Sequence, residues 1–99
     1  MEMLQQLTIT TDETARLRPL IEVAIQNEAK LVAHGIQRTR DKLRSFEQRF
    51  GFTSEDLERR FAAGELQETL DFIEWAGEIK MLRILEGQQR ALAGAQIVD

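Results

Sequence analysis

Apolar residues return at steps of three and four along one long stretch of this chain. From Pro19 to Phe50, Leu20, Ile21, Ala24, Ile25, Leu31, Val32, Ile36, Leu43, Phe46 and Phe50 keep that spacing, interrupted by a single glycine, Gly35. The pattern predicts a helix over about 19–50, roughly 48 Å long at 1.5 Å per residue. A rounded globule of this size has a radius of gyration of about 13 Å. The expectation is therefore an elongated all-α hairpin with apolar surface left to share.

The remaining elements are shorter. Leu7-Thr8-Ile9-Thr10 alternates and reads as a strand or extended arm. Thr11-Asp12-Glu13 is suited to cap a helical turn over Asp12 to Leu17, and Pro19 implies a kink or fresh start beside Arg18. Gly51 suits a left-handed helix stop. Thr53 then reads as an N-cap, with Asp56 three residues on and Phe52 and Leu57 placed as a hydrophobic staple, opening a short helix over 54–63 that ends at Gly64. Asp71, Glu74, Leu70 and Trp75 repeat that grammar for a last helix over about 71–93. Phe72, Trp75, Ile79, Leu82, Leu85 and Leu92 form its expected inner stripe, widened by Ile73, Met81 and Ile84. Gly77 and Gly87 inside it each cost about 1 kcal/mol relative to alanine. They mark either close helix approach or soft spots. Ala95 to Val98 reads as a short tail able to pair with the N-terminal strand.

Composition narrows the class. Ninety-nine residues make one domain, here 1–18 as arm and first turn and 19–93 as helical core. No apolar run approaches the ~18 residues of a membrane span, and the first residues lack the pattern of an export signal. The absence of cysteine rules out disulfides and thiolate chemistry and favours a cytoplasmic setting. A net charge of −4 argues against general nucleic-acid binding. Within it the charge is segregated. Arg38, Arg40, Lys42, Arg44 and Arg49 crowd one segment, whereas Glu65, Glu68, Asp71, Glu74 and Glu78 fill another with no base among them. In an antiparallel hairpin those segments are neighbours, so the expected role is macrodipole complementarity and ion pairing across the helices.

Parts for chemistry are few. His34 has no carboxylate at helical distance, which leaves no bundle metal motif and makes it a lone exposed or interfacial histidine. Asp71, Glu74 and Glu78 line one helical stripe; capping and solvation account for them better than a cation does. Ser45 and Ser54 have no histidine near in sequence. The reading is of a non-enzyme with no cofactor and no metal. Trp75 on the inner stripe suits core packing first and an interface anchor second.

Leu43-Arg44-Ser45-Phe46-Glu47-Gln48-Arg49-Phe50-Gly51, then Gly64-Glu65-Leu66, then Asp71-Phe72-Ile73-Glu74-Trp75 make a connected pattern. It resembles a family of small uncharacterised bacterial and archaeal helical proteins with the form L-x-x-F-E-x-[KR]-[FY]-G, G-E-L and D-F-x-E-W, over about residues 18–93. The resemblance implies an antitoxin-like or partner-binding role beside a small toxin-like protein, and transfers no catalytic residue. Leu7-Thr8-Ile9-Thr10 with Asp12-Glu13 also resembles a ribbon–helix–helix arm, but the turn that fold needs is missing and the strand carries no base. The leading expectation is a homodimeric helical interaction module that binds another small protein, with no membrane association. Its contact residues are Leu20, Ile21, Ala24 and Ile25, with Arg38, Arg40 and Arg44 as a rim and Trp75 as a lesser candidate. A DNA-binding regulator is the contrasting class, and a carboxylate metal enzyme the third.

Overall fold

The computed structural model describes residues 5–8 and 14–98, with side chains from 15 to 95. In order come a strand β1 (Gln5–Thr8), helices α1 (Thr14–Phe50), α2 (Ser54–Ala62) and α3 (Leu70–Ala93), and a strand β2 (Ala95–Val98). The class is all-α: a helical hairpin in which α1 packs against α3. A parallel ribbon accompanies it, pairing Gln5 with Ala95 and Thr8 with Val98. The strand therefore begins two residues before the expected Leu7–Thr10; Ile9 and Thr10 lie outside the described residues, as do Thr11, Asp12 and Glu13. Its partner is the chain's own tail, as the alternation of both segments allows.

Helix α1 is 37 residues long and unbroken, and Pro19 lies inside it. The expected fresh start at Arg18–Pro19 is thus corrected. Only one turn precedes the proline, so the helix forgoes the bond that an N–H at position 19 would make to Ala15 and continues. Gly51 ends α1 with φ +79°, and its N–H donates to the Glu47 carbonyl at 2.8 Å. A non-glycine residue there would carry the left-handed penalty.

Thr53 caps α2 as its sequence position implies, with Oγ1 accepting from the Asp56 N–H at 3.1 Å. The reciprocal half of the box does not form, because the Asp56 carboxylate turns to Arg59 and Arg60. At the other end Gly64, φ +70°, closes a Schellman motif: the Glu65 N–H reaches the Arg60 carbonyl at 2.9 Å and the Gly64 N–H the Phe61 carbonyl at 3.1 Å.

The start of α3 departs from expectation. Thr69, not Asp71, is the cap, its Oγ1 accepting from the Phe72 N–H at 3.2 Å. Leu70 is 86% exposed, so no staple to Trp75 exists. Asp71 sits in the first turn and reaches Arg49 at 2.6 Å. A tertiary ion pair has taken the carboxylate that local grammar assigned to capping.

The chain packs as two compact units: the described residues of Met1–Gly35 with Leu85–Asp99, and Ile36–Ile84. In the first, Gly35 has a structural reason. A Cβ there would lie 3.3 Å from Leu85 Cδ1, so its absence lets α1 and α3 approach closely. In the second, Leu43, Phe46, Leu57, Trp75 and Ile79 form the core, with Phe50, Phe52, Phe61, Leu66, Phe72, Ala76 and Leu82 packed around it. Lys42 with Glu78, Phe46 with Trp75, and Arg49 with Asp71 are the matched pairs of α1 and α3. As the first number rises the second falls, which is an antiparallel register.

Candidate functional site

The α1 stripe read as one apolar band divides in two. Ile21 and Ile25 are partly buried, Ile25 beside Ala95 in a shallow groove of about 300 Å³. Leu20 is 66% and Leu31 65% exposed, and Leu17, Val23 and Ala24 are exposed as well. Leu17, Leu20, Ala24 and Leu31 step by three, four and seven, the spacing of a coiled-coil seam, and the exposed Asn27 holds the polar position within it. Of the four apolar interface candidates, Leu20 and Ala24 therefore face outward, while Ile21 and Ile25 belong mainly to the first unit's own packing.

Trp75 is fully buried. It fills the core role and presents nothing to a partner, so its candidacy as an interface anchor is set aside. Phe46 stacks on it at 5.5 Å with an interplanar angle of 7°, and Phe52 and Phe50 lie at 5.1 and 5.8 Å. The Arg49 guanidinium sits 4.8 Å from the Phe50 ring centre and that of Arg60 4.5 Å from Phe52.

Trp75 also anchors a polar relay that the sequence does not announce. Its indole N–H donates to Ser54 Oγ at 2.9 Å, and Ser54 Oγ donates to Glu47 Oε2 at 2.8 Å. The Ser54 backbone N–H donates to the same carboxylate oxygen at 2.8 Å. Glu47, near the C-terminal end of α1, thus supplies the anion that the N-terminus of α2 favours, while the buried indole finds its acceptor. Three elements are fixed by one serine. Ser54 directly follows the cap Thr53 as the first residue of α2, an ordinary place for a small polar side chain; only the tertiary packing reveals its second duty.

The two charged segments meet at two pairs. Lys42 meets Glu78 at 3.4 Å and Arg49 meets Asp71 at 2.6 Å. Arg83 holds Glu58 in a two-pronged contact at 2.6 and 2.7 Å. Arg44 pairs with Asp41 on its own helix, Arg40 also interacts within the chain, and Arg38 is exposed. These contacts engage two of the three proposed rim arginines.

On α3, Phe72, Trp75, Ile79, Leu82, Leu85 and Leu92 are buried or partly buried. Ile73, Met81 and Ile84, expected to widen that inner stripe, are instead exposed, Ile84 at 56%. Gly77 lies on this outer side, with nothing within 4 Å of the position its Cβ would take. Beside it, Phe61, Glu68, Ile73, Ala76, Gly77 and Lys80 line an open groove of about 420 Å³.

His34 is exposed. Among the described residues no group of three or more histidine, cysteine, aspartate or glutamate side chains is gathered as a metal site, and no helix is long and apolar enough to cross a membrane. Comparison with protein families, curated sequences and solved structures finds no match. The residues that carried the family resemblance have structural work of their own. Leu43, Phe46, Phe50, Leu66, Phe72 and Trp75 build the core, Gly51 and Gly64 turn the chain, and Glu47, Arg49 and Asp71 join elements.

Proposed function

We propose that this chain is a non-catalytic helical interaction module that self-associates through the outer seam of α1 and binds another small protein, an antitoxin-like role in keeping with the family resemblance. The observation that supports it is the exposure of Leu17, Leu20 and Leu31 at coiled-coil spacing on one helix. Exposed leucines at this spacing are what a coiled-coil seam offers a second helix. Asn27 in the seam favours a fixed register over loose stacking.

Light scattering after size exclusion tests the self-association. The wild type is expected to run as a dimer at micromolar concentration and the double variant Leu20→Glu/Leu31→Glu as a monomer with unchanged helicity. A compact wild-type monomer refutes the dimer. Co-expression with the product of an adjacent gene tests the second part, and the expected result is a stoichiometric complex.

A further inference from the structure

The outer face of α3 carries the second apolar surface, and its centre is a glycine that the fold does not use. At 100° per residue, Leu70, Ile73, Met81 and Ile84 all fall within about 40° of the direction of Gly77. All four are exposed. Gly77 lies within the 24-residue helix, where glycine weakens helical structure, yet among the described residues no neighbouring side chain or other element would obstruct a Cβ there. Among the described residues the notch therefore admits no packed neighbour. It does open one side of the groove that Phe61 and Ala76 also line, where a second backbone could come close.

The border of this face is charged in a definite way. Glu74 stands about 60° to one side of Gly77 and Lys80 about 60° to the other, with Glu68 across the groove. Among the described residues neither glutamate has an ion-pair partner, whereas Asp71 and Glu78, further round the helix, are taken by Arg49 and Lys42. Two uncompensated carboxylates against one ammonium leave an acidic edge around an apolar notch.

From this juxtaposition we propose that the α3 face, centred on Gly77, is a docking site for an amphipathic helix of another protein, one whose apolar stripe is flanked by basic residues. The site rests on the reading of the chain as an interaction module and gives that reading a surface and a partner chemistry. The partner's apolar side chains enter the groove over Gly77, and its lysines or arginines face Glu68 and Glu74.

The test uses the full chain and two synthetic peptides of about 18 residues, long enough to form a helix. Both carry the same leucine stripe, one flanked by lysine and the other by glutamate. Calorimetric titration at about 0.1 M salt is expected to show the leucine/lysine peptide binding at least about tenfold more tightly than its acidic twin. Gly77→Leu, which strengthens the helix while filling the notch, is expected to raise the melting temperature and to weaken that binding by about tenfold or more. Glu68→Gln/Glu74→Gln should erase the preference between the peptides. Leu20→Glu, on α1, should leave the titration unchanged. Equal binding of the two peptides, no binding of either, or full retention by Gly77→Leu overturns the proposal. So does a change of mass in light scattering for Gly77→Leu alone, since the face would then be covered by a second copy. Failure of this site leaves the co-expression result standing; failure of co-expression with intact peptide binding removes only the adjacent-gene partner.

Discussion

Replacing Ser54 by alanine tests the relay between Trp75 and Glu47 with a difference of sign. Alanine is the better helix former by a few tenths of a kcal/mol, so a serine that merely begins α2 would be improved by the change. The structure says otherwise. Ser54 is buried, accepts from the Trp75 indole and donates to Glu47. Without its oxygen the indole N–H is left inside a fully buried side chain with no partner, which costs about 1–3 kcal/mol. Glu47 keeps its bond from the Ser54 backbone N–H, so the loss on that side is smaller. A net destabilisation of about 2 kcal/mol corresponds to a melting temperature roughly 10 °C lower for a domain of this length. Urea unfolding followed by far-UV circular dichroism measures it. The partner variant Trp75→Phe has no indole donor, so Ser54→Ala should cost about 1 kcal/mol less in that background. A Ser54→Ala protein as stable as the parent, or more so, refutes the relay as a stabilising device.

Glycines give a second set of outcomes. Gly77→Ala should stabilise by about 1 kcal/mol, since nothing obstructs its Cβ, while Gly64→Ala should destabilise by about 1 kcal/mol because φ there is +70°; thermal melts decide both. Acid unfolding is linked to Asp56, whose carboxyl is held below its ordinary 3.8, first by the Arg59 hydrogen bond and then by the charges of Arg59 and Arg60, with its slight burial opposing. A depressed folded-state value means the contribution is present above about pH 4 and is lost as pH falls through the folded value, so Asp56→Asn should flatten the stability profile below that pH and leave its slope at neutrality unchanged. Across the hairpin, Asp71→Ala should cost under about 1 kcal/mol. Arg49→Ala should cost more, because Arg49 also stacks on Phe50, and a double-mutant cycle in urea separates the two terms.

Local grammar was legible where each signal had no competitor. Gly51, Thr53 and Gly64 take the conformations their positions imply because backbone sterics and one near hydrogen bond decide them. At the start of α3 two cap residues, Thr69 and Asp71, stand two apart. Thr69 takes the cap while Asp71 reaches an arginine on another helix, a contact no short-range rule sees. The wide apolar band of α1 could not be divided from spacing, since Leu20 and Ile21 both satisfy a period of 3.6; what packs on the helix sorts them. For the same reason Ile73, Met81 and Ile84 passed for core. The relay was beyond reach altogether: Glu47, Ser54 and Trp75 are separated by irregular intervals and meet only when three elements close.

The placement of aromatic rings has a practical consequence. The sequence holds five phenylalanines, one tryptophan and no tyrosine, and all six rings lie between Phe46 and Trp75, within the unit Ile36–Ile84. Near-ultraviolet absorption and intrinsic emission therefore gauge that unit alone. Should the strand ribbon and its neighbouring helix turns loosen first, an emission-monitored melt would register nothing, and the lag between emission and amide signals would be a direct clock of how independently the dark half lets go.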